Sequence, residues 1–157
     1  MRAVGLDIGT RRIGVALVSR GSLLAVPSEI LERRDDWSKD AEMIVRAIEE
    51  REAEAVVIGL PLSHGGLATL QSERILSEAH KLAEVVTLPI YLADERYSSV
   101  SVARVRASLG VSQRRMRGTL DDEAAAVILQ GWIDAGGAST HRPLEVAQHG
   151  GDDGQSR

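Results

Sequence analysis

The stretch Val4-Gly5-Leu6-Asp7-Ile8-Gly9-Thr10-Arg11-Arg12-Ile13-Gly14-Val15-Ala16-Leu17-Val18 decides the architecture of the chain. Val4, Leu6 and Ile8 alternate with Ala3, Gly5 and Asp7, and Ile13, Val15 and Leu17 alternate with Gly14, Ala16 and Val18. That period of two, broken at Gly9-Thr10-Arg11, predicts two strands joined as a hairpin. Asp7 stands on the face of very small residues, where a helix can approach closely and carry its own side chains toward the acid. A third strand, over about 23–30, completes an antiparallel meander, and Pro27 assigns it to the edge because proline lacks the N–H that a central strand needs.

Beyond the meander, Asp36-Trp37-Ser38-Lys39 leads into an amphipathic helix with Ile44, Ala47, Ile48 and Arg51 on one face. Ala55-Val56-Val57-Ile58-Gly59-Leu60 is an almost unbroken apolar run, the pattern of a strand covered on both faces. A second helix over 67–86 places Ile75, Ala79, Leu82 and Val86 on one stripe, a fifth strand follows over 88–93, and a third helix over 98–109 is closed by Gly110. The last helix, 121–135, carries Asp121, Ala125, Ile128 and Trp132 on one stripe, which aims Asp121 at the protein body. Asp122 and Glu123 are rotated off that stripe and serve as first-turn acids at the helix dipole.

The order β-β-β-α-β-α-β-α-α implies an α/β fold with a mixed five-stranded sheet: a meander extended by parallel strands through right-handed crossovers, with helices on both faces. The domain is expected over 1–135. From Gly136-Gly137 the chain turns polar and Gly-rich without periodicity, so 136–157 is expected to be a disordered C-terminal tail.

With 157 residues, 43% of them hydrophobic, the chain can bury one core and is too short for two domains. It has no cysteine, which excludes disulfides, thiolate metal sites and cysteine nucleophiles, so any metal must be held by oxygen or histidine. No apolar run nears the ~20 residues of a membrane span, and the N-terminus opens on a strand pattern, not a signal peptide. The reading is a cytoplasmic protein with no membrane contact. The net charge of -4 argues weakly against a nucleic-acid partner, but its distribution argues the other way. Residues 98–120 hold Arg104, Arg106, Arg114, Arg115 and Arg117 and no acid, whereas 29–54 hold ten acids against five bases.

The candidates for chemistry are carboxylates at element ends. In an open α/β sheet ligands gather at the carboxyl ends of parallel strands, where both Gly59-Leu60-Pro61 and Asp94-Glu95-Arg96 lie. Alternation along Ile90, Leu92 and Asp94 puts Glu95 on the other face, with Tyr91 and Ala93, so Glu95 is chosen over Asp94 as the acid that faces Asp7. Each candidate has a plainer reading: Asp7 satisfying a tight turn, Glu95 in a surface turn with its own salt bridge, Asp121 as a helix-start acid. The run Arg114-Arg115-Met116-Arg117 is either a phosphate-neutralising loop or a solvated one. His64 and His80 lack a partner at metal-ligand spacing and carry no assigned chemistry.

Taken in order, Leu6-Asp7-Ile8-Gly9-Thr10-Arg11-Arg12-Ile13-Gly14-Val15-Ala16, Val57-Ile58-Gly59-Leu60-Pro61-Leu62, Asp94-Glu95-Arg96, and Asp121 followed by Ala124-Ala125-Ala126-Val127-Ile128-Leu129-Gln130 resemble the YqgF/RuvX family of Holliday-junction-resolvase-like proteins. The resemblance spans about 2–135. It implies an RNase H-like fold and a nuclease acting on four-way DNA junctions or on the precursor of small-subunit ribosomal RNA. It carries the family's metal-binding acids onto Asp7, Glu95 and Asp121. Two departures stand out: Tyr97-Ser98-Ser99 follows Asp-Glu-Arg where the family usually has Leu, and Asp122 adjoins the third acid.

Phosphodiester hydrolysis on such a site implies two Mg2+ or Mn2+ ions, which hard oxygen ligands select. Asp7 is expected to bridge both, with Glu95 and Asp121 on either side. Arg11, Arg12, Arg96, Arg114, Arg115 and Arg117 are expected to neutralise flanking phosphates, and Tyr97 to stack on a base. Symmetric cutting of a junction would call for a homodimer. Two other classes compete. One is a nucleic-acid-binding factor in transcription or ribosome maturation without turnover. The other is an ATP-binding domain of the actin and hexokinase type, which shares Asp-x-Gly-Thr but needs a second phosphate loop that this chain lacks.

Overall fold

The computed structural model describes residues 1–63, 65–95, 99–108 and 120–146, with the backbone alone for Ser99, Val100, Ser108 and 120–122. Its strands are β1 (Ala3–Ile8), β2 (Arg12–Val18), β3 (Val26–Glu32), β4 (Ala55–Leu60) and β5 (Ile90–Asp94). They form one sheet in the order β3-β2-β1-β4-β5. β1 pairs antiparallel with β2 and parallel with β4, and β5 runs parallel to β4. The meander and the parallel half thus meet at β1, and β3, with Pro27, is the edge as expected.

The helices among the described residues are α1 (Trp37–Glu50), α2 (Leu70–Val85), α3 (Ser99–Ser108) and α4 (Leu120–Asp134). The side-chain alternation of the strands sorts them into two layers. Val4, Leu6, Ile8, Ile13, Val15, Val56, Ile58 and Ile90 face Ile44 and Ile48 of α1 and Ile75 and Leu82 of α2. Ala3, Ala16, Val57, Tyr91 and Ala93 face Val105 of α3 and Ala125, Ile128, Leu129 and Trp132 of α4. The small-residue face of the hairpin does admit a helix at close range. A Cβ on Gly5 would stand 2.7 Å from Leu129 Cβ and 2.9 Å from the Ala125 carbonyl oxygen, so α4 lies directly on β1.

Local chemistry sets the element ends. Asp36 caps α1 by accepting from the backbone N–H groups of Ser38 and Lys39 at 2.9 and 3.3 Å. Thr69 and Ser72 form a reciprocal capping box, which starts α2 at Leu70 and not at Leu67. β5 begins at Ile90 because Pro89 has no N–H, although its carbonyl still accepts from Val56 at 3.0 Å.

Two segments differ from expectation. β3 runs over Val26–Glu32 and not from Leu23, because the buried Gln130 of α4 accepts from the Ala25 N–H at 2.9 Å and donates to the Leu23 carbonyl at 3.0 Å. A helix side chain replaces the ladder there. The segment expected to be a tail from residue 136 packs back as far as it is described: Gly137–Ser139 form a short 3-10 turn, His141 lies 6.2 Å from the Trp132 ring, and Leu144 N–H donates to the Ile90 carbonyl at 2.6 Å. Residues 147–157 lie outside the described residues, as does the Gly110 cap. No helix among the described residues is long and apolar enough to cross a membrane.

Candidate active site

Asp7 ends the small-residue side of β1 opposite Gly14, and Glu95 directly follows β5. Both border one cavity of about 270 Å3 at the carboxyl edge of the parallel strands, roofed by Ala93, Val102, Ala124, Val127 and Ile128. Glu95 is half-buried, and its carboxyl is pushed up to about 7 from 4.5 by burial first, then by the charges of Asp7 and Asp94. The acid chosen from strand alternation is therefore electrostatically coupled to Asp7. Asp94 also reaches this cavity, from an exposed position at the strand end where strict alternation lapses.

What brings Glu95 inward is the absence of a side chain on β4. A Cβ on Gly59 would run into Glu95 Oε1 and Ile128 Cδ1. Asp7 also borders a second cavity of about 390 Å3, lined by Gly9, Thr10, Arg11, Arg12, Gly14 and Ile30. Arg11 and Arg12 are exposed there, with Arg12 Nε at 3.7 Å from Glu32 Oε1. An acid is thus shared between a carboxylate-rich hollow and one rimmed by guanidinium groups.

The turn after Asp7 is gripped from below. Arg33 donates to the Gly9 carbonyl at 2.9 Å and Arg74 to the Ile8 carbonyl at 3.1 Å. These two guanidinium groups are held by Asp40 and Glu78: Arg33 Nε to Asp40 at 2.9 Å, Arg33 Nη2 to Glu78 at 2.7 Å and Arg74 to Glu78 at 2.8 Å. Asp40 and Glu78 are buried, so the network is two cations balanced by two anions in a dry setting, where each group depends on its partners.

Asp121 stands in the first turn of α4, three and seven residues before the cavity-lining Ala124 and Ile128, and its side chain lies outside the described residues. Arg96, Tyr97, Arg114, Arg115 and Arg117 lie outside them too. Among the described residues, no group of three or more acidic, histidine or cysteine side chains is close enough to hold a metal. Three groups here were not among the expected site residues, although Arg106 belongs to the basic strip of 98–120. Glu123, taken as rotated away, borders the cavity, and Arg106 of α3 borders it as well and donates from Nε to Glu123 Oε2 at 3.1 Å. The signal for Glu123 was its place four residues before Val127. The Arg33 and Arg74 network shows locally only the i,i+4 pair Arg74 and Glu78, because the contacts that tie it to Arg33 and to the Ile8 carbonyl span 45 and 66 residues.

The family model described as RuvX, Holliday junction resolvase, matches residues 1–135. The chain belongs to this family. It is accordingly a nuclease of the Holliday-junction-resolvase-like kind. Among curated relatives, a protein of Gloeobacter violaceus is 40% identical over 142 residues, 90% of this chain and 88% of that one. One of Myxococcus xanthus is 38% identical over 149 residues, 95% of each chain. Both, like the Desulforamulus reducens protein at 37% identity over 87% of this chain and 98% of its own, carry the name "Putative pre-16S rRNA nuclease". Among solved structures, Thermus thermophilus RuvC in complex with a Holliday junction matches with a TM-score of 0.63 at 16% identity, covering 92% of this chain and 99% of that one. The fowlpox virus Holliday junction resolvase matches at 0.53 and 12% identity, over 86% and 99%. These likenesses identify the fold as RNase H-like, as expected.

Proposed function

We propose that the chain is a divalent-metal-dependent endonuclease cutting phosphodiester bonds in structured nucleic acid, four-way junction DNA or the precursor of 16S ribosomal RNA, with Asp7, Glu95 and Asp121 as its catalytic acids. One observation carries the reading: Asp7 and Glu95 share a cavity at the carboxyl edge of the sheet, and their mutual repulsion together with burial pushes the Glu95 carboxyl up to about 7.

That repulsion is also the test of fit for a cation. Acids pressed together in a half-buried hollow, whose metal-binding side chains among the described residues are carboxylates, suit a hard divalent ion such as Mg2+ or Mn2+. Asp7 would hold two such ions, Glu95 and Asp121 one each. When bound, they supply counter-charge for the developing phosphorane and acidify the attacking water. The chain's own residues do the rest. Arg33 and Arg74 fix the Ile8 and Gly9 carbonyls and with them the approach of Asp7. Val127, Ile128 and Ala93 exclude bulk water from one wall of the hollow. Arg11 and Arg12 accept flanking phosphates in the adjoining cavity, joined by Arg96, Arg114, Arg115 and Arg117, while Tyr97 stacks on a base. The products are a 5'-phosphate and a 3'-hydroxyl.

The substrate names come from relatives called pre-16S rRNA nucleases and from a neighbour solved with a Holliday junction. Junction cutting requires a two-fold dimer, RNA trimming does not, and either substrate is met in the cytoplasm. The test is cleavage of a four-way junction, duplex DNA and a precursor rRNA fragment side by side, in Mg2+ and in Mn2+, by the unaltered chain and by Asp7→Asn. Cleavage of at least one structured substrate, abolished by Asp7→Asn with binding retained, is the expected result. Cleavage undiminished in Asp7→Asn, or none in either metal, would overturn the assignment.

A further inference from the structure

We propose that Arg106 contacts the substrate directly, gripping a phosphate beside the one being cut, and that Glu123 holds its guanidinium in place. This rests on the nuclease reading above and adds a residue that the sequence motifs do not single out. The hollow that holds Asp7 and Glu95 is also bordered by Asp94 and Glu123, so a nucleic-acid strand entering it meets four carboxylates. Among the described residues lining that hollow, Arg106 is the cation.

Its geometry is that of a tethered fork. Nε donates to Glu123 Oε2 at 3.1 Å, and among the described residues the terminal nitrogens Nη1 and Nη2 have no acceptor. The edge formed by these two nitrogens is the one that matches two phosphate oxygens at once. The Arg106 side chain is 44% exposed, whereas Glu123 is 14% exposed. The anchor is thus more enclosed than the cation it holds.

The pair is not needed to fasten α3 to α4. Val105 is fully buried between the two helices and the sheet, and Asp134 already accepts from Arg104 and from Ser101. Arg104 and Asp134 lie outside the hollow. Of two ion pairs joining the same two helices, one is a tie at the far end and the other opens onto the acids. A solvated surface pair would contribute little to stability and would leave the hollow indifferent to its loss. A phosphate contact would not.

Salt dependence separates the two. The probes are the same four-way junction and precursor rRNA fragment, with binding followed by fluorescence anisotropy in Ca2+ from 50 to 200 mM salt and cleavage followed in Mg2+. Arg106→Gln is expected to lower the slope of log Kd against log salt by about 0.9, the contribution of one neutralised phosphate, and to raise KM, with Tm unchanged. Arg106→Lys is expected to restore the slope, since the charge is kept, but to recover the KM only in part, since the fork is lost. A wild-type slope and wild-type KM in Arg106→Gln, with the unaltered chain cleaving normally, would overturn the role of Arg106 alone. Failure of the unaltered chain to bind or cleave either probe would instead overturn the nuclease reading beneath it.

Discussion

Replacing Glu95 by glutamine should stabilise the metal-free protein while removing its activity. The carboxyl titrates at about 7 in the folded chain against 4.5 as a free side chain, raised by burial, Asp7 and Asp94. Between those values the folded state keeps a proton that the unfolded state has lost, so stability falls as pH rises through the window. The full cost is reached above pH 7. Taken without screening it is about 3 kcal/mol, and because Glu95 is half-open to solvent about 1–2 kcal/mol is expected. Glutamine keeps the shape and cannot ionise. In EDTA at pH 8, Glu95→Gln should therefore exceed the unaltered chain by about 1–2 kcal/mol in urea unfolding, or about 3–6 °C in Tm for a chain of this size. At pH 4 the two should coincide. Adding Mg2+ at pH 8 should raise the Tm of the unaltered chain and raise that of the variant less, because the variant keeps only the ion held by Asp7 and Asp121. A variant no more stable than the parent at pH 8, or an advantage that does not change with pH, would refute the coupling of Glu95 to its neighbours.

The metal requirement should be pH-dependent for the same reason: the Mn2+ concentration giving half-maximal cleavage should rise up to about tenfold per pH unit below 7 and level off above it, because Glu95 must lose its proton to bind. Gly59→Ala should cost about 1–3 kcal/mol in urea unfolding and weaken metal dependence as well, since the new methyl would collide with Glu95 and Ile128. Arg33→Met should cost about 3–5 kcal/mol, because it leaves the buried Asp40 and Glu78 short of a cation. Under-destabilised protein in that measurement would mean the network contributes little to fixing the turn after Asp7. Arg74→Met, at the more exposed end of the network, should lose less stability but still lower kcat, with the KM for nucleic acid unchanged.

The legible part of this molecule was whatever has a short period. Alternation in the hairpin fixed which face Asp7 occupies, the apolar run of β4 fixed a strand covered on both sides, and the Ile75, Ala79 and Leu82 stripe of α2 fixed its buried face. The same alternation, carried past β5, put Glu95 on the face of Asp7. The illegible part was whatever depends on distant partners. Gln130 takes backbone groups 105 and 107 residues away and so shifts the start of β3, which no local pattern records. The stripe through Asp121, Ala125 and Ile128 marks one inward face of α4 and leaves out Glu123, which borders the hollow from another. That helix is covered by the sheet on one side and α3 on another, so more than one of its faces points inward.

The spacing of the strands explains why Gly59 matters as much as the acids. β4 lies between β1 and β5, and neighbouring strands are about 4.8 Å apart, so the backbones that carry Asp7 and lead to Glu95 are separated by about 10 Å. Across that distance two carboxylates in water would barely interact. Leu6 pairs with Ile58, which sets Asp7 level with Gly59, and Gly59 in turn pairs with Ala93, two residues before Glu95. Asp7, Gly59, Ala93 and Glu95 stand on the face covered by α3 and α4. Any side chain on β4 at this level would fill the space between the two acids. Glycine leaves it open, Glu95 folds back across β4 into it, and Ile128 closes it from above. The Gly-Leu-Pro run at the end of β4 is thus the opening through which two acids on separate strands come to share one field, and its glycine belongs to the site although it has no side chain to contribute.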